Sequence, residues 1–321
     1  MLVTDVQCCM PSLPEVAQAY HTEIVSTSEI AKTIGSTSLP FDEAHALDSA
    51  KALLRRAIAN FKNRNPRKVA IPKASQPLVA GFSVAAIKYM LGGTFRASFR
   101  PLNDAIMQGR IKGIVGIVGC SNPRMKTDSY VNALTRELIR REVIVLKTGC
   151  AAIASAKAGM LTPEAALEAA GPGFREVCEA VGIPPVLHMG SCVDNSRLLE
   201  AATEVVLEGG LGDDLSEVPV VGVAPEWMSE KAIAIGCYFV ASGVDVILGH
   251  PFHTGGSENV TRFLNQDTRE LFGASFHVCT DPREAAEKVM EIINRKRERL
   301  GINRKAERKL YDMKDRRALD V

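Results

Sequence analysis

Three of the eight cysteines stand where they could do chemistry together. Cys120 closes the run Gly113-Ile-Val-Gly-Ile-Val-Gly-Cys120, and Cys150 closes Val143-Ile-Val-Leu-Lys-Thr-Gly-Cys150. Cys192 lies in His188-Met-Gly-Ser-Cys-Val-Asp-Asn195, after the apolar Pro185-Val-Leu. Each follows a strand-like run and precedes a turn or helix. In an open parallel sheet the carboxyl ends of the strands share one edge, where ligands bind. Three thiols spaced 30 and 42 residues apart can therefore converge. The glycine before Cys120 and before Cys150 lets the backbone turn sharply. A thiolate among helix N-terminal amides has a lowered pKa and suits a metal or cluster. The competing reading is a small buried hydrophobe at a tight turn. Threefold use of one arrangement favours the ligand reading. Cys178, Cys237 and Cys279 lie inside apolar helices or a strand and read as core. There is no CxxC, so zinc ribbons and thioredoxin-like motifs have no support.

The elements that must position these thiols are short apolar runs alternating with helical segments, the pattern of α/β architecture. Strands are expected at Glu23–Ser26, Val69–Ile71, Gly113–Val118, Val143–Leu146, Val218–Val223, Val244–Leu248 and Phe276–Cys279. Several are rich in Val and Ile without polar alternation, as strands buried on both faces should be. Thr162-Pro163 opens a helix that Gly171 ends, and Asp281-Pro-Arg-Glu284 opens another through about Arg299. The run from Ile71 to Pro77 breaks both periodicities and marks a boundary. The division expected is 1–72, a partial Rossmann-like domain with a helix from Ala46 to Arg64; 73–301, a complete doubly wound parallel sheet; and 302–321, a basic tail. The first segment has no visible strand or cap at its start and reads as the remainder of a domain.

With 321 residues, 46% hydrophobic and 24% charged, the chain can fill a core, which excludes dominant disorder. The longest uncharged apolar stretch, Ala232–Val244, falls short of the ~18 residues a membrane span needs. The N-terminus lacks a basic lead-in to an apolar run and does not read as a signal peptide. The expectation is a cytoplasmic protein. The net charge of +2 conceals a basic segment, Arg295–Arg317, with 11 Lys/Arg against 4 Asp/Glu, on a mildly acidic body. That balance gives no support to a nucleic acid partner, and the segment reads as a solvated helix. A dinucleotide site is disfavoured too, because Gly113–Gly119 lacks the GxGxxG order.

Six segments occur in a telling order: Gln7-Cys-Cys-Met-Pro-Ser-Leu13, Ala80-Gly-Phe-Ser83, Val118-Gly-Cys-Ser-Asn122, Thr148-Gly-Cys150, His188 through Arg197, and Ala224-Pro-Glu-Trp-Met-Ser-Glu-Lys231. Together they resemble the catalytic subunit of the anaerobic nickel–iron–sulfur carbon monoxide dehydrogenases, over residues 3 to about 301. The string from His188 to Arg197 is the strongest match. The related hybrid-cluster (prismane) proteins share the fold but not that string or the Ser-Glu-Lys segment.

The resemblance implies a NiFe4S4 centre, a nickel-bearing cubane with a pendant iron. Cys8, Cys120 and Cys150 match the cysteines that bind cubane irons, and Cys192 matches the nickel ligand. Cys8 is preferred to Cys9 because it directly follows Gln7. Lys231 matches a lysine near the substrate that assists proton movement, and Ile235, one helical turn on, matches an apolar residue crowding the nickel. The implied reaction converts CO and water to CO2, two protons and two electrons, passed to a ferredoxin-like acceptor. Soft thiolates suit such metals. A cation such as Lys231 stabilises charge developing on substrate oxygens. Read without the motif, Lys231 is a helix-surface lysine. His250, His253 and His277 are not read as ligands, and His188 is read as orienting the Cys192 loop.

The departures are as specific. The family is about twice this length and begins with a helical domain that carries Fe4S4 relay clusters, which this chain does not encode. The histidine and cysteine that hold the pendant iron also lie upstream in the family. The expectation is therefore a truncated or split catalytic subunit supplying four of six cluster ligands and inactive alone, with a missing N-terminal polypeptide as a partner. A homodimer and an association with acetyl-CoA synthase are implied by resemblance only. The alternative is a non-catalytic α/β scaffold or metal-holding remnant of that family.

Overall fold

The computed structural model describes residues 1–303. All but the first two residues of the expected basic tail lie outside them. The chain divides into two compact units, Met1–Ser75 and Gln76 onward.

The first unit holds three short parallel strands, β1 (Leu2–Thr4), β2 (Ile24–Ser26) and β3 (Thr37–Ser38), in that order across the sheet. Leu2 pairs with Ile24, and Val25 with Thr37. Helix α1 (Leu13–Gln18) connects β1 to β2, and α2 (Ala46–Phe61) follows β3. The start of the chain is thus a strand after all. The apolar run at Val69–Ile71 is not one: both residues are exposed, and Pro72 removes the next N–H that a ladder would need. No residue of α2 is buried, so the apolar row Leu47, Leu54, Ile58 and Phe61 lies exposed.

The second unit opens with α3 (Val84–Gly92), capped by the Ser83 hydroxyl accepting from the Ala86 N–H at 3.0 Å, and α4 (Arg100–Met107). Strands and helices then alternate: β4 (Gly113–Ile117), α5 (Ser129–Arg140), β5 (Val143–Thr148), α6 (Gly149–Lys157), α7 (Pro163–Ala169), α8 (Pro172–Val181), β6 (Val186–Gly190), α9 (Ser196–Glu208), β7 (Val220–Ala224), α10 (Glu230–Ala241), β8 (Asp245–Leu248), α11 (Glu258–Arg262), α12 (Thr268–Phe272), β9 (Phe276–Val278) and α13 (Pro282–Arg299). The six strands form one parallel sheet in the order β6-β5-β4-β7-β8-β9. That is the doubly wound Rossmann-like order, with its switch point between β4 and β7.

Every residue of β4, β5, β7 and β8 is buried, which is why their sequences run apolar without alternation. Leu134 and Leu138 of α5 and Ile292 and Ile293 of α13 are fully buried in the same core. Asp281 caps α13 by accepting from the N–H groups of Arg283 and Glu284. Gly171 does not terminate α7. It serves instead as the N-cap of α8, because Pro172 supplies that helix with its first residue.

The end of α13 is fixed by its cations. Lys296 and Arg297 are each only 2% exposed. The Arg297 guanidinium donates to the carbonyls of Ile106 and Lys112, just before β4 begins, and Arg295 pairs with Asp245 at 3.2 Å. Asp245 is wholly buried and also holds Arg269 at 2.5 Å and His277 at 3.1 Å. Burial pushes its carboxyl upward, but the His277 hydrogen bond and the nearby Arg269 and Lys296 charges win and hold it down at about 2.

Candidate functional site

The carboxyl ends of β4, β5 and β6 lie side by side, and each carries one of the singled-out thiols. Val118 continues the β4 ladder by donating to the Val223 carbonyl at 2.9 Å, and Gly119 then turns the chain at φ +103° toward Cys120. β5 passes into α6 through Gly149 at φ +59°, leaving Cys150 as the second residue of the helix. Cys192 opens a short 3-10 turn, Cys192–Asn195, held by a capping box in which the Ser191 N–H donates to Asp194 Oδ2 at 2.7 Å.

Gly149 is the junction of the three. A Cβ built on it would meet Cys192 Sγ, with the Gly119 carbonyl oxygen at 3.5 Å. The Ala151 N–H donates to that same carbonyl at 3.2 Å. The residue before Cys120, the residues flanking Cys150 and the sulfur of Cys192 therefore touch one another. Thr148 closes the arrangement from behind, its buried hydroxyl donating to Asn195 Oδ1. Cys120 and Cys192 are half-buried and Cys150 is exposed.

Cys8 belongs to the first unit, in the loop after β1. It is exposed and adopts φ +56°, a left-handed backbone rare for a non-glycine residue. Its neighbour Cys9 turns inward on its own loop, Sγ donating to the Asp5 carbonyl at 2.5 Å. Lys231 and Ile235 sit one turn apart at the start of α10, both half-buried, with Ile235 packed against the core.

Cys178 and Cys279 are buried, and burial pushes their thiols up to about 12 and about 11. Cys237 departs from expectation: it lies on the outer side of α10 and is exposed. Asp194, Asn195 and Arg197 bond within the Cys192 loop, while the buried His188 Nδ1 has no partner among the described residues. The His188 carbonyl does have a role, accepting from the N–H groups of Gly81 at 3.1 Å and Phe82 at 2.9 Å. His250 stacks on Trp227 at 4.2 Å, and each of the two residues bonds the other's backbone carbonyl.

Two ionisable side chains beneath this edge escaped the sequence reading. Lys147, next to last in β5, is fully buried, and its ammonium donates to the Ala151 carbonyl at 3.4 Å. Burial brings it down to about 7, against the Glu226 and Asp128 charges that favour its protonation. Glu226, just past β7, is also fully buried, and burial pushes its carboxyl upward. A lysine inside an otherwise apolar strand was the available signal.

Among the described residues, no three His, Cys, Asp or Glu side chains gather at single-ion range. Thiols on adjacent loops, with a glycine cradle where a side chain would collide, suit a cluster in which each thiolate binds a different metal atom.

Known proteins similar to this chain share a single description. The chain is 48% identical to carbon monoxide dehydrogenase 1 of Methanosarcina mazei, over 94% of its own length and 47% of that protein. It superposes on a nickel-free carbon monoxide dehydrogenase from Thermococcus sp. AM4 with a TM-score of 0.83 and 46% identity, covering 93% of this chain and 46% of that one. It also matches an acetyl-CoA synthase/carbon monoxide dehydrogenase, whose alpha subunits carry NiZn[Fe4S4] and NiNi[Fe4S4] clusters, with a TM-score of 0.84 and 35% identity over 94% of this chain and 46% of that one. The chain thus spans about half the length of the relatives it matches. Strand order and sequence lead to one assignment, and the family model matches residues 1–283: the chain belongs to the Prismane/CO dehydrogenase family.

Proposed function

We propose that this chain supplies the thiol-bearing part of a carbon monoxide dehydrogenase active centre. Cys8, Cys120 and Cys150 would hold cubane irons of a NiFe4S4 cluster, and Cys192 its nickel. The observation that carries the reading is the seating of the Cys192 sulfur on Gly149, between the loops of Cys120 and Cys150. When bound, such a group supplies Lewis acidity toward CO and takes up the two electrons released as CO and water become CO2 and two protons.

The protein's own share is positional. Four thiolates match soft metals. The Lys231 ammonium, in the first turn of α10, donates to charge on substrate oxygens and carries a proton at Nζ. Ile235, packed on the core one turn later, narrows the approach and excludes water. A ferredoxin-like electron acceptor, a cytoplasmic location, a homodimer and an acetyl-CoA synthase partner belong to the same reading. Among the described residues no helix is long and apolar enough to cross a membrane.

These residues supply four of the six ligands that the resemblance calls for, and the buried Cys178 and Cys279 are poor candidates for the remainder. The chain is expected to bind iron and nickel through these four thiols. The test is anaerobic reconstitution with iron, sulfide and nickel, followed by metal analysis and CO-dependent dye reduction. Iron and nickel retained by wild type, with nickel lost in Cys192→Ala, supports the reading. No iron in either supports a non-catalytic scaffold. CO-dependent dye reduction that Cys192→Ala abolishes supports it further.

A further inference from the structure

We propose that Glu226 is a positioning residue for the thiol-bearing edge: its buried carboxylate caps helix α5 in place of Asp128, and Asp128 in turn braces the Cys120 loop against the helix that carries Cys150. The functional importance of this brace rests on the cluster reading above.

A helix leaves its first N–H groups without intrahelical partners, and an Asp at the N-cap is a common remedy. Helix α5 has an aspartate there, Asp128, but its side chain makes no capping bond and its backbone is left-handed at φ 60°. The carboxylate is engaged elsewhere. It accepts the Ser121 hydroxyl at 3.1 Å and pairs with the Lys157 ammonium. Ser121 directly follows Cys120, and Lys157 is the last residue of α6, whose second residue is Cys150. One carboxylate thus joins the two thiol-bearing segments.

The first turn of α5 is served from a distance. The Val131 N–H donates to Glu226 Oε1 at 3.4 Å, and the N–H groups of Asp128 and Tyr130 also face this carboxylate. Glu226 has no exposed surface, and its Oε2 has no hydrogen-bond partner among the described residues. A carboxylate is not buried cheaply. Its place under the switch point is explained by the helix end it holds and by the buried Lys147 charge nearby. Without Glu226, α5 would need a cap, and the side chain at the N-cap position is that of Asp128. Turning Asp128 to that duty releases Ser121 and Lys157 together.

The test uses the full chain, reduced and anaerobic, with a short bifunctional thiol reagent and peptide mapping of the Cys120–Cys150 cross-link. Hydrogen exchange of residues 118–131 is measured in parallel. Glu226→Ala is expected to lower the cross-link several-fold and to speed exchange at the start of α5 at least tenfold. Glu226→Gln, whose amide oxygen still accepts, is expected to behave as wild type. Asp128→Ala keeps the cap and loses the brace, so it should lose the cross-link while α5 exchange stays slow, and it serves if Glu226→Ala does not fold. Wild-type cross-linking in Glu226→Ala or in Asp128→Ala overturns the proposal, as does a Glu226→Gln chain as impaired as Glu226→Ala. None of these readouts needs metal. A wild-type chain that cross-links but takes up no iron on reconstitution refutes the cluster reading and leaves the role of Glu226 standing.

Discussion

The sulfur of Cys192 rests on the backbone of Gly149, so close that a single methyl on Gly149 would collide with it. Gly149 also holds φ +59°. Gly149→Ala therefore meets two penalties, a left-handed alanine costing about 1–2 kcal/mol and the displacement of a half-buried thiol. The expected outcome is a lower thermal midpoint together with faster alkylation of Cys192. A midpoint loss with unchanged Cys192 reactivity would show that the loop does not depend on this seat.

Asp245 gives an acid-limb prediction. Its folded pKa is about 2, below the ordinary 3.8, so the folded state binds the proton less tightly than the unfolded one. The stabilisation is complete above about pH 4 and is lost as pH falls through about 2, amounting to about 2 kcal/mol. Asp245→Asn should flatten this limb and cost about 3–5 kcal/mol at neutral pH, because Arg269 and Arg295 lose their shared counter-charge. Denaturant unfolding between pH 2 and pH 6 decides it.

Lys147 acts at the opposite end of the pH scale. The folded state gives up its proton near 7 and the unfolded state near 10.5, so unfolding takes up a proton between those values. Stability should rise with pH across that window, by about 2 kcal/mol between pH 7 and pH 9. Lys147→Met removes this slope. A variant with the wild-type slope would place the titrating group elsewhere, with Lys296, brought down to about 8 by burial, the next to examine.

The buried and edge thiols should separate cleanly under metal loading. Cys178→Ala removes a sulfur from the core and should cost about 1 kcal/mol while leaving iron uptake unchanged. Cys150→Ala removes an exposed group, so it should leave the thermal midpoint of the metal-free chain nearly untouched and lower the iron retained. Equal iron content in the two variants would remove Cys150 from the ligand set.

How much of this was legible in the sequence follows from burial. β4 and β5 are covered on both faces, so they open on apolar runs without alternation and their ends point directly to Cys120 and Cys150. β1 was not legible, since its three residues are mostly exposed on a small sheet and carry no periodic signature. Val69–Ile71 misled for the converse reason, an apolar string that nothing covers. Cys237 misled because an apolar helix still has an outer side. Glu226 and Asp128 were invisible as a pair, since Glu226 reaches α5 across 95 residues while Asp128 turns to Ser121 and Lys157. The spacing of the cysteines could suggest convergence, but only the fold shows Gly149 as the point where their loops meet.

The inward turn of the α13 cations changes how the basic segment after residue 294 should behave toward a polyanion. Of its 11 Lys/Arg, Lys296 and Arg297 are enclosed and Arg295 is matched by Asp245, leaving at most eight to displace condensed counterions. Each contact withheld lowers the salt slope of such binding by about 0.9 on B-DNA. Affinity of this chain for heparin or nucleic acid should accordingly be weaker, and less sensitive to ionic strength, than its linear charge density suggests.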